Sequence, residues 1–252
     1  MPTPFARTEI LLGHESTQRL GDLNLLVVGL GGVGAYAAEM LGRAGIGQLT
    51  IVDHDRVGPS NINRQLVALH STLGEKKTAV MAERLLDINP DLRLHVLDMF
   101  LEIDQTDSLV TGQKYDFILD CIDSIVCKAA LVASAQKFDV PIISAMGAGN
   151  QVDASRVRVA RLDKTHHCPL AREMRTHLRK LGASLKYPVV YSDEPRRQPT
   201  AHQPVGGDHP GRPRAVNGTI SYLPALFGTL LAGEVCKRLI HQIETGFPNS
   251  GH

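Results

Sequence analysis

Gly29, Gly31 and Gly34 follow the apolar run Leu25–Val28 in the spacing Gly-x-Gly-x-x-Gly, and Asp53 closes a second apolar run roughly twenty residues further on. Glycines in that pattern let a backbone turn approach a phosphate at a helix N-terminus, and a carboxylate at that distance can bind a ribose hydroxyl. Dehydrogenases, flavin enzymes and ATP-consuming enzymes all share these features. The segment after Asp53 separates them. It reads DHDRVGPSNINRQ and supplies Asp55, Asn61 and Arg64; Lys77 then opens the next helix, and Asp120-x-x-Asp123 ends the fourth strand. A hydride-transferring enzyme needs no cations beyond the pyrophosphate. A triphosphate must be neutralised by Arg or Lys together with a metal ion. Taken singly these residues read as surface charge; as a set they read as an ATP site.

The elements that must position this set alternate along the chain. Residues 1–24 look helical and lead into a strand at Leu25–Val28. A helix from Val33 to Ala44 ends at Gly45, and QLTIVD is the second strand. GEKKTAVMAERLLDIN carries Val80, Leu85 and Ile88 at helical spacing and stops before Pro90. LRLHVLD, YDFILD and VPIISAM are further strands, with a helix through Ser124–Lys137 between the last two. This rhythm predicts an α/β fold: a Rossmann-like three-layer domain on a mainly parallel sheet. Beyond residue 150, RVRVARL and YPVVYS extend it as mixed strands around a helix in CPLAREMRTHLRK, and a helix from Tyr222 to Ile240 closes the chain. The expected organisation is one domain over 1–252, with a nucleotide-binding half (1–150) and a substrate-side half (151–252). A mobile loop is expected at about 193–216, where Pro, Gly and Arg are dense.

Apolar residues make up 43% and charged residues 21% of the chain, as in ordinary globular proteins. Net charge is +1, so no global field points to nucleic acid, yet residues 151–214 hold 13 Lys/Arg against 6 Asp/Glu. No signal peptide and no membrane span is read from the sequence. The widely spaced Cys121, Cys127, Cys168 and Cys236 fit reduced thiols, and the expected location is cytoplasmic. Cys121 and Cys127 are expected in the core. Cys168, in HHCPLAR, could be a nucleophile or a small side chain before a Pro-initiated helix, and the second reading is preferred. No zinc is expected, because no C-x-x-C pair exists.

The pattern GxGGxG, D-x-D, S-N-x-x-R-Q, a downstream Lys and D-x-x-D resembles the ubiquitin-activating and molybdopterin/thiamine adenylyltransferase superfamily. The resemblance covers residues 5–165. It implies ATP bound at Gly29, Gly31, Gly32, Gly34, Asp53 and Asp55, and a carboxylate attacking the α-phosphate. It further implies that Asp53 binds the ribose, that Asn61, Arg64 and Lys77 bind phosphates, and that Asp123 ligates Mg²⁺. Arg64, Lys77 and Asp123 would be catalytic, as would Arg7 reaching into the neighbouring subunit of a homodimer with composite active sites.

FARTEILLG, DHDRVGPSNINRQ, the stretch from Met146 to Arg175 and NGTISYLPALFGTLLAGEVCKRLI together resemble the tRNA threonylcarbamoyladenosine dehydratases. That resemblance implies ATP-dependent cyclisation of the threonylcarbamoyl group on tRNA, with a sulfurtransferase system as a further partner. Arg172, Arg175 and Arg179 share one predicted helix face and are the expected tRNA contacts. The alternatives are activation of a sulfur-carrier or ubiquitin-like protein's C-terminus, an NAD-dependent oxidoreductase, and a silent binding scaffold.

Overall fold

In the first strand every residue is buried, because its two faces serve two different cores. The computed structural model describes residues 4–197 and 218–246. In chain order the elements are α1 (Ala6–Leu12), α2 (His14–Asp22), β1 (Asn24–Val28), α3 (Gly34–Ala44), β2 (Gln48–Asp53), α4 (Lys77–Ile88) and β3 (Arg93–Asp98). They continue with α5 (Thr106–Thr111), β4 (Phe117–Asp120), α6 (Ile125–Lys137), β5 (Ile142–Ala145), β6 (Val157–Arg161), α7 (Pro169–Lys180), β7 (Pro188–Ser192) and α8 (Tyr222–Thr245).

One seven-stranded sheet runs in the order β3-β2-β1-β4-β5-β7-β6. Every pairing is parallel except β6 with β7, which is antiparallel. Leu25 and Val27 of β1 join Leu41 of α3, Met81 of α4 and Phe227 of α8 on one face. Leu26 and Val28 join Val110 of α5, Leu131 of α6 and Met174 of α7 on the other. Side-chain alternation thus splits one apolar run between two helical layers, which is why the parallel strands read as continuous hydrophobic stretches. The three-layer α/β expectation holds, as does the C-terminal helix, which continues past Ile240 to Thr245.

Four details differ from the sequence reading. The N-terminal helix is two helices, broken at Gly13, whose φ of +83° no helix accommodates. α5 was not foreseen; it is short and interrupts a polar stretch. Cys127 is buried and Cys121 packs half-buried against the first core, as expected, but both also line the cavity at the carboxyl end of the sheet described below. The segment expected to be mobile at 193–216 begins as fixed chain. Asp193 and Glu194 are buried, because Glu194 Oε2 accepts the backbone N–H groups of Val152 (2.9 Å) and Asp153 (2.8 Å). Residues 198–216 lie outside the described residues.

Candidate active site

The strand order reverses between β1 and β4, and the loops leaving these strands diverge around a cavity of about 690 Å³ at the carboxyl end of the sheet. The glycine loop forms one side. Gly29 donates its N–H to the Val52 carbonyl at 2.8 Å and has φ +93°. A Cβ there would stand 2.8 Å from the Cys121 carbonyl oxygen, and one at Gly34 would stand 1.7 Å from that of Gly29. A side chain at Gly29 would need the β1 and β4 loops to separate, and one at Gly34 would need the glycine loop itself to open. Gly31 and Gly32 line the cavity.

Asp53 also lines it, largely buried, with Oδ2 accepting the Leu30 N–H at 2.6 Å and Oδ1 the Asp55 N–H at 2.8 Å. Each oxygen keeps a further lone pair for a hydroxyl. Lys77, its side chain 5% exposed, places Nζ 2.8 Å from Asp55 Oδ2, and His54 Nε2 lies 3.2 Å from Asp55 Oδ1. Arg64 donates through Nη1 to the Ser60 carbonyl (2.8 Å) and Asn63 Oδ1 (2.9 Å), and burial pulls its guanidinium below the usual arginine value. An arginine so lowered remains a cation at neutral pH. Asp123 is an exposed carboxylate at the mouth of the cavity. Carboxylate oxygens of the kind a hard cation takes line the cavity at Asp123, Asp53 and Asp55, and the last two cluster with His54, one ligand atom of each within 4.8 Å of the others.

Other expected residues are not brought to this cavity. Asn61 does not line it; Oδ1 accepts the Gly58 N–H at 3.0 Å and closes the turn that aims Arg64. Arg7 is exposed on α1, away from its own chain's cavity. Cys168 is buried at the start of α7 and packs in the second core. On α7, Arg172 and Arg179 are exposed, but Arg175 turns inward and donates to Thr165 Oγ1 and to the Leu162 carbonyl. The reason is angular. At about 100° per residue, Arg175 sits about 60° from Arg172 toward the stripe of Ala171, Met174 and Leu178, which is buried.

Two features escaped the sequence reading. The first lies beneath Asp123, where Lys128 Nζ meets Asp120 Oδ2 at 3.0 Å with both side chains 0% exposed. Lys128 also donates to the Ile122 carbonyl at 3.0 Å, while Asp120 accepts from Ser144 Oγ (2.6 Å) and the Ile122 N–H (3.2 Å). Burial pushes the Asp120 carboxyl up, against the ammonium of Lys128 and these hydrogen bonds. Every bond of this set ends on strand β4, strand β5 or the loop to Asp123, so it fixes that loop from below. The available signal was a lone lysine in the apolar text IVCKAALVASA. The second feature is the far side of the cavity, where Gly147, Leu170, Glu173 and Arg196 face the glycine loop. Burial pushes the Cys121 thiol up to about 12, which disfavours its thiolate near neutral pH.

A larger cavity of about 980 Å³ opens at the opposite end of the sheet, where Phe117, Ile142 and Pro188 begin or adjoin their strands. It has no glycine loop and does not compete with the switch point as a nucleotide site.

Comparison with known proteins shows the family. The ThiF family profile matches residues 5–250. A Bacillus subtilis (strain 168) protein named tRNA threonylcarbamoyladenosine dehydratase is 36% identical over 244 residues, covering 95% of this chain and 96% of that protein. The solved structure of Escherichia coli tRNA N6-threonylcarbamoyladenosine dehydratase in complex with AMP superposes with a TM-score of 0.86 at 33% identity, covering 96% of each chain. The same enzyme in complex with ATP superposes with a TM-score of 0.84 at 33% identity, covering 96% of this chain and 95% of that one.

Proposed function

The chain belongs to the ThiF family, alongside relatives named tRNA threonylcarbamoyladenosine dehydratase, and on that premise we propose that it is an ATP-dependent dehydratase that cyclises threonylcarbamoyladenosine in tRNA. The observation that carries this reading is the joining of the glycine loop, Asp53, Arg64 and Lys77 in one cavity. That cavity belongs to a chain similar over almost its whole length to an enzyme solved with ATP and with AMP. The alternatives fit less well. A hydride-transfer site has no use for Arg64 and Lys77, and a carrier-protein activator has no use for a basic substrate side.

ATP lies with its ribose at Asp53 and its phosphates along Gly29–Gly34. Arg64 and Lys77 take the outer phosphates, Lys77 exchanging Asp55 for phosphate oxygen. The substrate carboxylate attacks the α-phosphorus, and diphosphate leaves with the electrons of the broken P–O bond. The neighbouring carbamoyl group then attacks the activated acyl carbon and loses a proton as AMP departs, so the nucleoside has lost one water. Cations placed before the reaction stabilise the charge that builds at phosphorus, and no protein nucleophile is required. Mg²⁺, held by Asp123 and ATP, would supply further neutralisation of the phosphates.

The two halves, 1–150 and 151–252, act as one adenylating domain in the cytoplasm. Exposed Arg172 and Arg179 are the tRNA contacts, with Arg175 fixing the helix that presents them. Neither chemical step moves sulfur, so a sulfurtransferase would act beside the reaction rather than within it. A homodimer with composite sites is supported by α1, which buries none of its residues and leaves Ile10 and Leu11 85% and 80% exposed. Mixing Arg7→Ala with Asp123→Ala chains should restore about a quarter of wild-type activity if Arg7 acts across a twofold axis. No recovery after confirmed subunit exchange would remove that arrangement.

The test of the main reading is mass analysis of nucleosides after incubation of threonylcarbamoylated tRNA with the protein, ATP and Mg²⁺. Loss of one water, dependent on ATP, is expected. An unchanged nucleoside beside adenylation of a carrier protein would replace the reading.

A further inference from the structure

Among the described residues, Arg196 is the one arginine or lysine lining the cavity whose position the nucleotide does not explain. Arg64 and Lys77 stand on the glycine-loop and α4 side; Arg196 stands across the cavity, over the carboxyl end of β5. A Cβ added to Gly147 would meet its Nη2 at 3.0 Å, so the guanidinium lies directly on that glycine. Arg196 is half-buried, and its Nε is buried without a hydrogen-bond partner. A buried guanidinium nitrogen left unpaired is costly, and such a group is matched to an anion that binds in planar, two-pronged fashion.

The chain on both sides of Arg196 is fixed. Glu194 Oε2 is bound by the N–H groups of Val152 and Asp153, Gln151 Nε2 donates to the Glu194 carbonyl at 3.1 Å, and the Arg197 N–H donates to the Asn150 carbonyl at 2.9 Å. Arg196 is therefore presented to the cavity by anchored backbone. In an in-line displacement the attacking oxygen and the leaving diphosphate occupy opposite sides of phosphorus. With the diphosphate at Arg64 and Lys77, the attacking carboxylate enters from the side of β5 and α7, where Arg196 waits.

We propose that Arg196 binds the carboxylate of the incoming threonylcarbamoyl group and holds it for attack on the α-phosphate. Arg196 is then the catalytic residue of the acyl half of the reaction, and it distinguishes tRNA bearing the free carboxylate from unmodified tRNA. The inference rests on the dehydratase reading above.

The experiment compares wild type with Arg196→Ala, Arg196→Gln and Arg196→Lys. Equilibrium binding is measured for ATP, for threonylcarbamoylated tRNA and for the same tRNA without the modification. Wild type should prefer the modified tRNA; Arg196→Ala and Arg196→Gln should lose that preference by about 10- to 100-fold, the worth of a hydrogen bond to a charged group. Affinity for ATP and for unmodified tRNA should stay within about twofold, since neither makes the lost ionic hydrogen bond. Arg196→Lys should recover part of the preference, and KM for modified tRNA should rise in the same order. Weakened ATP binding would make Arg196 a phosphate ligand and overturn the proposal, as would a preference unchanged in Arg196→Ala. Wild-type conversion of the nucleoside is the separate control. If it fails, the dehydratase reading falls and the proposal with it; if it succeeds while preference persists without Arg196, the proposal alone falls.

Discussion

On the side of the cavity formed by Gly29, Asp53 and Lys77, partners lie close in sequence: Asp53 meets Leu30 across 23 residues and Lys77 meets Asp55 across 22. On the side of Gly147 and Arg196, Glu194 meets Val152 across 42 residues and Tyr222 meets Val152 across 70. The first side recognises a nucleotide, a ligand with one set of dimensions, and one strand–helix–strand unit with its following helix is enough to hold it. The second side is the one we propose receives the acyl group carried on tRNA, and it is assembled from distant segments that only the completed sheet brings together. A local unit leaves a spaced motif in the sequence. An assembled wall does not.

The largest expected effect tests the nucleotide side. Asp123→Ala should reduce turnover by on the order of 10³-fold while leaving the melting temperature near that of wild type, since the side chain is exposed at a cavity mouth. Lys77→Ala, removing a single phosphate cation, should cost less, about 10²-fold. Wild-type turnover with normal Mg²⁺ dependence in Asp123→Ala would sink the metal-ligand assignment.

Next comes the joint between the two sides. Lys128→Met removes the ammonium that compensates Asp120 in a site with no exposure, so denaturant unfolding should show a loss of about 3–5 kcal/mol. A loss under about 1 kcal/mol would mean that Asp120 is carried neutral and that the pair does not brace the Asp123 loop.

The smallest effect concerns the far side and pH. Hydrogen bonds from Arg156 (2.7 Å) and Arg158 (2.5 Å) hold the Asp193 carboxyl below the usual carboxylate range. Its folded value is lower than its unfolded one, so the stability it contributes is complete above the ordinary carboxylate value, about 4, and is lost as pH falls through the lowered value. Asp193→Asn should flatten the acid limb of a stability-against-pH curve below about pH 4 while leaving its slope near neutrality unchanged. An acid limb as steep as that of wild type would show that Asp193 is not the group responsible.

These contrasts explain what was legible in the sequence. Gly29, Gly34 and Asp53 could be placed because their roles depend on backbone geometry within one unit, and the parallel strands could be placed because burial on both faces makes them continuously apolar. Arg196 could not, since nothing in DEPRR marks which arginine faces inward; that depends on Glu194 seizing two N–H groups on a distant loop. Lys128 was masked by the helix around it. Arg175 was assigned to the wrong surface because i, i+3, i+7 spacing gives a broad face, and its inner edge reaches the buried stripe. Asn61 belongs to the motif, but its side chain closes the turn.

In this reaction the substrate's own carboxylate becomes the adenylate. Threonylcarbamoylated tRNA carrying ¹⁸O in that carboxylate tests it directly, by mass analysis of the AMP released in a single turnover. AMP with one heavy oxygen is expected, because the oxygen that attacks phosphorus leaves with AMP when the ring closes. Unlabelled AMP formed alongside the dehydrated nucleoside would contradict it.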